Sequence, residues 1–306
     1  MEQTMQIPGF KLLTLEDGKV IQKYKEDMTI SDMEFTQLYA WQDRFRNQYR
    51  IINDYLCILY RRDDGECSCY TPLGQYDRDR YNRTLLELKK ELDQNGIPFR
   101  FDFVPEDWLE RFGRLPGYHV QAACNDDFSD YIYEARDFLD LTGKKNEQKR
   151  YLVNYFKKHF SYEYRSLTEE NVEDACKVAE DWCVGRDCSQ CYWGCERDAI
   201  FRILKNWNSF ACRGAVIYVD GEPKAFMVGE QISQDMVVSH FQKADKHIKG
   251  LYAFISHEFY VREFPDIQFI NLQEDMGVLP LRESKMSYRP CHMLRKYVVT
   301  LTERQE

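Results

Sequence analysis

Apolar residues recur along this chain with two different periods, and the switches between them mark out the elements. In SDMEFTQLYAWQDRF the apolar positions fall at helical spacing, whereas NDYLCILYRR and CSCYTPLG are short aliphatic and aromatic runs that read as paired strands. RYNRTLLELKKELDQNG returns to the helical period and predicts a long amphipathic helix ended by Gly96. IPFRFDFV alternates like a half-buried strand, PEDWLERF opens with a proline suited to a first helical turn, and GYHVQAACN reads as a strand again.

The second half has the same kind of order without repeating the sequence. YEYRSLT is a predicted strand, Thr168 is placed to cap a helix over TEENVEDACKVAEDWC, and CERDAIFRILKNW predicts another helix. GAVIYV, KAFMVGEQIS and DMVVSHFQKA read as three consecutive antiparallel strands, the first two joined at Asp220-Gly221, a strong hairpin turn. A helix over GLYAFISHEFYVREF, a strand over IQFIN, a polar loop and a last strand over HMLRKYVVTL complete the pattern. The class is α+β, with mixed, mainly antiparallel sheets flanked by helices.

Length bears on this picture: 306 residues exceed one typical core and favour two domains. A net charge of -9 gives no general reason to expect nucleic-acid or membrane affinity. MEQTMQIPGF has no apolar leader core, and no run approaches the roughly 18 apolar residues of a spanning helix. The expectation is a cytoplasmic protein without membrane insertion. Eleven cysteines, an odd number, fit reduced thiols in that compartment.

Cys183, Cys188, Cys191 and Cys195 stand close together in CVGRDCSQCYWGC. One reading is a metal or redox module, because the C-x4-C-x2-C spacing is like that which places thiolates on iron. The other is a loop feeding a helix, with Cys191 and Cys195 on one face as small core residues. The second is preferred, and no metal is expected.

Between the halves lies LTGKKNEQKRYLVNYFKKHF. Leu152, Tyr155, Phe156 and Phe160 form one helical stripe, and Lys144, Lys145, Lys149, Arg150, Lys157 and Lys158 occupy the rest. Such a surface is either a solvated face or, over 144–158, a basic rail for a phosphate-rich partner such as tRNA.

The order of elements resembles that of the GCN5-related N-acetyltransferases. More narrowly, YTPLG, DYIYEARDFLDLTGKKNEQKR, QKADKHIKGLYAFISHEF and NLQEDMGVLPLRESKMSYRP, in this order, resemble the soluble relatives of the phosphatidylglycerol lysyltransferase C-terminal domain. The resemblance implies two tandem acyl-CoA N-acyltransferase (GNAT)-like domains over 1–140 and 161–306, with a basic connecting helix over 141–160. It places the working cleft between splayed central strands of the second domain. It also implies transfer of an acyl or aminoacyl group from a carrier, acyl-coenzyme A or aminoacyl-tRNA, to a small-molecule or peptide amine or hydroxyl. The chain lacks the Q/R-x-x-G-x-G/A phosphate loop, which argues against tight coenzyme A binding. A binding protein of the same fold without turnover, for coenzyme A or a nucleotide, is the alternative.

On that plan the donor's phosphates meet QKADKHIKGLY, where a strand passes into a helix. Unpaired N–H groups at Gly250, Leu251 and Tyr252 and the cations Lys243, Lys246 and Lys249 would receive them. Asn271 is placed to orient a substrate, Glu274 or Asp275 to take a proton, and Arg282 with Lys285, three residues apart, to hold a phosphate or carboxylate. Tyr288 occupies a place like that of the tyrosine that protonates the departing thiolate in many acetyltransferases. Asn, Asp and Gly are also turn residues, so the same stretch has a purely architectural reading. His240, His247 and His257 are read as core or surface residues rather than bases.

Overall fold

A computed structural model describes residues 6–25, 30–113, 115–184 and 195–304. The chain forms two compact units, one of residues 1–129 with 294–306, the other of residues 130–293. The first contains β1 (Lys11–Leu12), α1 (Gly18–Tyr24), α2 (Phe35–Ala40), α3 (Gln42–Phe45), β2 (Gln48–Ile52), β3 (Tyr55–Arg61), β4 (Cys67–Cys69), α4 (Arg78–Gln94), β5 (Arg100–Pro105) and β6 (Tyr118–Cys124). The second contains β7 (Asp130–Glu134), α5 (Arg136–Leu139), α6 (Glu147–His159), β8 (Tyr162–Ser166), α7 (Val172–Cys183), α8 (Glu196–Leu204), β9 (Cys212–Val219), β10 (Glu222–Gln231), β11 (Met236–Ala244), α9 (Leu251–Glu263), β12 (Phe269–Asn271), α10 (Leu279–Met286) and β13 (His292–Leu294). The chain then ends with β14 (Lys296–Glu303), which returns to the first unit.

The sheets are ordered β1-β2-β3-β4-β5-β14-β6 and β8-β9-β10-β11-β12-β7-β13, so strand for strand they have the same plan. In each, the fourth and fifth strands pair in parallel, and the pairs on either side of them are antiparallel. In each, the sixth strand comes from elsewhere in the chain. β14 supplies it to the first unit, where the Lys296 ammonium is fully buried and pairs with Asp32 at 2.6 Å. β7 supplies it to the second. No described helix is long and apolar enough to cross a membrane.

This exchange corrects the boundaries expected from sequence. The division falls after residue 129 rather than at 140, and the basic helix α6 belongs to the core of the second unit rather than linking the two. HMLRKYVVTL is not one strand: it breaks at Arg295, and its two parts join different sheets. DYIYE is a strand although it does not alternate, because four of its five residues are buried. The helix expected from Thr168 begins at Val172 behind Asn171, whose side chain accepts the Thr168 N–H at 2.7 Å.

The second unit is built around α9. Eight of its thirteen residues are buried, so its apolar surface extends around the helix instead of forming one stripe. One side meets the sheet through Phe259, and another meets α6, where the Phe254 and Phe156 rings lie 4.4 Å apart. Burying each such ring contributes about 1.5–3 kcal/mol.

Candidate active site

The second sheet opens at its centre. β11 pairs with β12 only over Met236↔Phe269, Val237↔Ile270 and Val238↔Asn271. It then runs on to Ala244, with no ladder partner on that side among the described residues, while the other chain turns away after Asn271. On the other edge of β11 the register with β10 slips, since Val228 faces Phe241 but Gly229 faces Ser239, leaving His240 as the extra residue of a bulge. Gly229 is required here. A Cβ would lie 2.8 Å from the Val238 carbonyl and 3.2 Å from the Phe259 ring. Bulge and parting together present an unladdered backbone edge at the middle of the sheet.

The strand then turns into α9 at Gly250, which sits at φ +90° with no side-chain cap. Its conformation and its surroundings both demand glycine, because a Cβ would lie 2.3 Å from the Leu152 carbonyl of α6. The lysines expected to receive phosphates are divided. Lys243 is buried, pairs with Glu196 at 2.6 Å and lies over the Trp182 ring, so its charge is already matched. Lys249 lies 4.4 Å from the Tyr155 ring centroid and 5.1 Å from that of Tyr151. Lys246 is exposed. Leu251 is buried and donates its N–H to the Ile248 carbonyl, and the exposed Tyr252 accepts the Trp182 indole N–H at 2.9 Å.

The polar loop after β12 spends most of its chemistry on holding itself. Asn271 is fully buried, donating to Asp130 at 2.8 Å and accepting the Gln273 N–H at 2.7 Å. Asp275, also fully buried, accepts from Tyr131 at 2.5 Å, from the Gly277 N–H at 2.8 Å and from Arg282 through both Nε and Nη2 at 2.8 Å. Burial pushes its carboxyl up, but Arg282, Tyr131 and Gly277 outweigh that and hold it below the usual carboxylate range. Lys285 donates to the carbonyls of Leu272, Gln273 and Glu274. These bonds hold Gln273 at φ +61° and Met276 at φ +54°, conformations that cost energy without such support. Asn271, Asp275, Arg282 and Lys285, expected to serve substrate, are thus committed to the loop. Glu274 is half-buried, and its carbonyl belongs to the Lys285 clamp.

Tyr288 fares differently. Its ring stacks on Phe138 at 4.8 Å with the planes 7° apart, and meets Tyr133 edge-on. Burial pushes its phenol up to about 12, with Ser256 drawing it back. Over the other side of the ring, 3.5 Å from its centroid, stands the Lys149 ammonium, which also donates to the Ser287 hydroxyl at 2.9 Å. Burial alone pulls the Lys149 amine down to about 8. Nearby, burial raises the Tyr260 phenol and Ser239 of the unladdered edge opposes that shift. The Tyr260 oxygen completes no hydrogen bond within the described residues. Lys149 was legible in sequence only as one of six cations on a helix; what sets it apart is a partner far along the chain.

Of the six helix cations, Lys145 pairs with Asp137 and Lys157 with Glu258, both at 2.6 Å, and Arg150 donates to the Leu141 and Gly143 carbonyls. Four of the six cations, Lys145, Lys149, Arg150 and Lys157, thus have partners within the unit, and Lys144 and Lys158 stay exposed. Cys183 ends α7 and Cys195 precedes α8, both half-buried, while Cys188 and Cys191 lie outside the described residues. His257 bonds to the Phe138 carbonyl at 2.8 Å and His247 is exposed. His240 is buried beside Glu230, 3.1 Å away.

Comparison with solved structures agrees with this architecture. A protein of unknown function from Bacteroides thetaiotaomicron is 28% identical, matches 97% of this chain and 100% of its own, and superposes with a TM-score of 0.88. L-PGS from Bacillus licheniformis, 14% identical, matches 96% of this chain and 94% of its own at a TM-score of 0.67. FemX, 8% identical, matches 94% and 96% at 0.64. The last two show a shared fold. No curated protein matches the chain in sequence. The family described as phosphatidylglycerol lysyltransferase, C-terminal, matches residues 26–300, and the chain belongs to that family.

Proposed function

We propose that the protein transfers an acyl or aminoacyl group from an activated carrier to an amine or hydroxyl, at the opening between β11 and β12. The observation that carries this reading is the unladdered β11 edge beside a lysine whose pKa is lowered and a tyrosine whose pKa is raised. Transfer needs a base for the nucleophile, N–H donors for the oxyanion and an acid for the leaving group. Lys149, with its amine near 8, takes a proton from the acceptor as it attacks the carbonyl carbon. Backbone N–H groups of β11 beyond Val238 receive the carbonyl oxygen as it becomes negative. Tyr288 gives its phenolic proton to the departing atom as the carbon–carrier bond breaks.

The same phenol bears on the carrier. An acid near 12 is poorly matched to a thiolate, whose conjugate acid lies near 8.5, but well matched to an alkoxide, a much stronger base. The ester of an aminoacyl-tRNA therefore suits Tyr288 better than the thioester of acyl-coenzyme A. Membership of a lysyltransferase family points the same way. Exposed Lys246 and the uncapped start of α9 are suited to the carrier's phosphates.

The test is single-turnover transfer with aminoacyl-tRNA and acyl-coenzyme A in parallel, products identified by mass spectrometry. Tyr288→Phe and Lys149→Met are each expected to fold normally and to lose transfer by about 10²–10⁴-fold. Full activity in both removes the role assignments. Tight binding of either carrier with no product in the parent makes this a binding protein instead.

A further inference from the structure

On the opposite face of the same sheet, three residues of different chemistry meet on three neighbouring strands. Cys212 opens β9, Glu230 lies opposite it near the end of β10, and His240 is the bulged residue of β11. Their potential ligand atoms, a thiol sulfur, a carboxylate oxygen and an imidazole nitrogen, all lie within 4.8 Å of one another. The row Cys212↔Glu230↔Val238↔Asn271 runs through the last pair before β11 and β12 part. Gly229 faces Phe259 of α9, so Glu230 points to the other face, away from the Tyr288 cluster.

The second observation is an unpaired atom. The His240 side chain has no exposed surface, and its Nε2 faces Glu230 at 3.1 Å. Its Nδ1 is buried with no hydrogen-bond partner among the described residues. A buried imidazole nitrogen without a partner is costly unless something completes it. Glu230 adds a carboxylate that is only 3% exposed. A cation held among the three groups would bind one imidazole nitrogen together with the carboxylate and the thiolate.

We propose that Cys212, Glu230 and His240 form a site for a thiophilic divalent cation, with zinc the best fit. Zinc accepts this mixed set of sulfur, nitrogen and oxygen at about 2.0–2.3 Å, and its tetrahedral geometry sets donors about 3.3–3.7 Å apart. Small side-chain movements bring donors that already lie within 4.8 Å to that spacing. Magnesium and calcium are excluded by the sulfur and nitrogen donors. Three protein ligands leave a fourth position for water or a further donor. The proposal does not rest on the transfer chemistry proposed above.

The experiment uses full-length protein stripped with a chelator, in a background where Cys183, Cys188, Cys191 and Cys195 are all serine, and also in the parent. Each is loaded with Zn²⁺ for metal analysis after desalting, and titrated with Co²⁺ for its spectrum. The expected result is one tightly held equivalent in both, with a thiolate-to-cobalt charge-transfer band and intense tetrahedral d–d bands. Cys212→Ser should abolish the charge-transfer band and weaken binding at least 100-fold, and His240→Gln should lose the equivalent. Cys212 is half-exposed at a strand end, so Cys212→Ser decides the matter if His240→Gln does not fold. No retained metal in the serine background overturns the proposal, as does an unchanged spectrum and affinity in Cys212→Ser.

Discussion

The two units place a helix at the same point of the same sheet plan, and the starts of those helices differ. α4 follows the fourth strand of the first sheet, α9 the fourth strand of the second. At α4 the Asp77 carboxylate accepts the Arg80 N–H at 2.8 Å, and Asp79 adds negative charge in the first turn. At α9 the cap is Gly250, with no side-chain oxygen, preceded by Lys246 and Lys249. The start of α4 is thus capped by a side chain of its own sequence, whereas that of α9 is not. The strands before them differ too: β4 has three residues, all buried, while β11 has nine and runs past its parallel partner. One topology thus gives a short, closed strand and a capped helix in the first unit, and a long, parted strand and an uncapped helix in the second, where the proposed transfer is placed.

Gly250→Ala breaks the comparison most severely. The added Cβ meets a backbone carbonyl at 2.3 Å, and φ +90° is unfavourable for any side chain. A loss of at least about 3 kcal/mol in denaturant unfolding is expected, since neither α6 nor α9 can yield without giving up buried aromatic contacts. A loss below about 1 kcal/mol would mean that the two helices are not pressed together at this glycine.

The polar loop after β12 is next most sensitive. Asp275→Asn removes the charge that Arg282 and Tyr131 both address and should cost roughly 2–3 kcal/mol. Its carboxyl is lowered in the folded state. The stability it contributes is therefore present above the unfolded value near 3.9 and is lost as pH falls through the folded one. Urea midpoints of parent and variant should converge at the acid end. A gap that stays constant with pH would sever Asp275 from the acid response.

Asp77→Ala then tests the first unit's helix. Loss of the cap should cost about 1 kcal/mol, read from the denaturation midpoint. Transfer activity should not change, because the first unit's helix start is assigned no part in it.

How much of this was legible in the sequence follows from which contacts are local. Apolar runs bounded by turn signals are local, so β9, β10 and β11 could be read directly, as could the Asp220-Gly221 turn between β9 and β10 and the long apolar helix α9. β7 is the opposite case: a run of only five residues that begins and ends with an acidic side chain, it gives little strand signal although Asp130, Tyr131, Ile132 and Tyr133 are all buried. The exchange of sixth strands is a choice of distant partner that HMLRKYVVTL does not encode in its own pattern. In the polar loop, residue types suggested chemistry, yet Asn271, Asp275, Arg282 and Lys285 satisfy one another and the backbone. Only contacts distinguish a carboxylate that serves substrate from one that fixes a turn. Lys149 is the converse: one cation among six in the sequence, it is singled out by Tyr288 and by burial.

That contrast yields the smallest and most specific effect. The Lys149 amine lies near 8 when folded and near 10.4 when unfolded. Below about 8 both states hold the proton, and between 8 and 10.4 the unfolded chain holds it while the folded one does not. Stability attributable to this group must therefore rise with pH across that window, opposite to a lysine that gains a partner on folding. Lys149→Met keeps an apolar stem over the Tyr288 ring and removes the titration. The variant should be slightly more stable than the parent at pH 7, and the difference should shrink by pH 10. Urea midpoints for the pair at these two values provide the measurement. A pH-independent difference would show that the ammonium is fully hydrated, and would withdraw both the depressed amine and its part in taking the acceptor's proton.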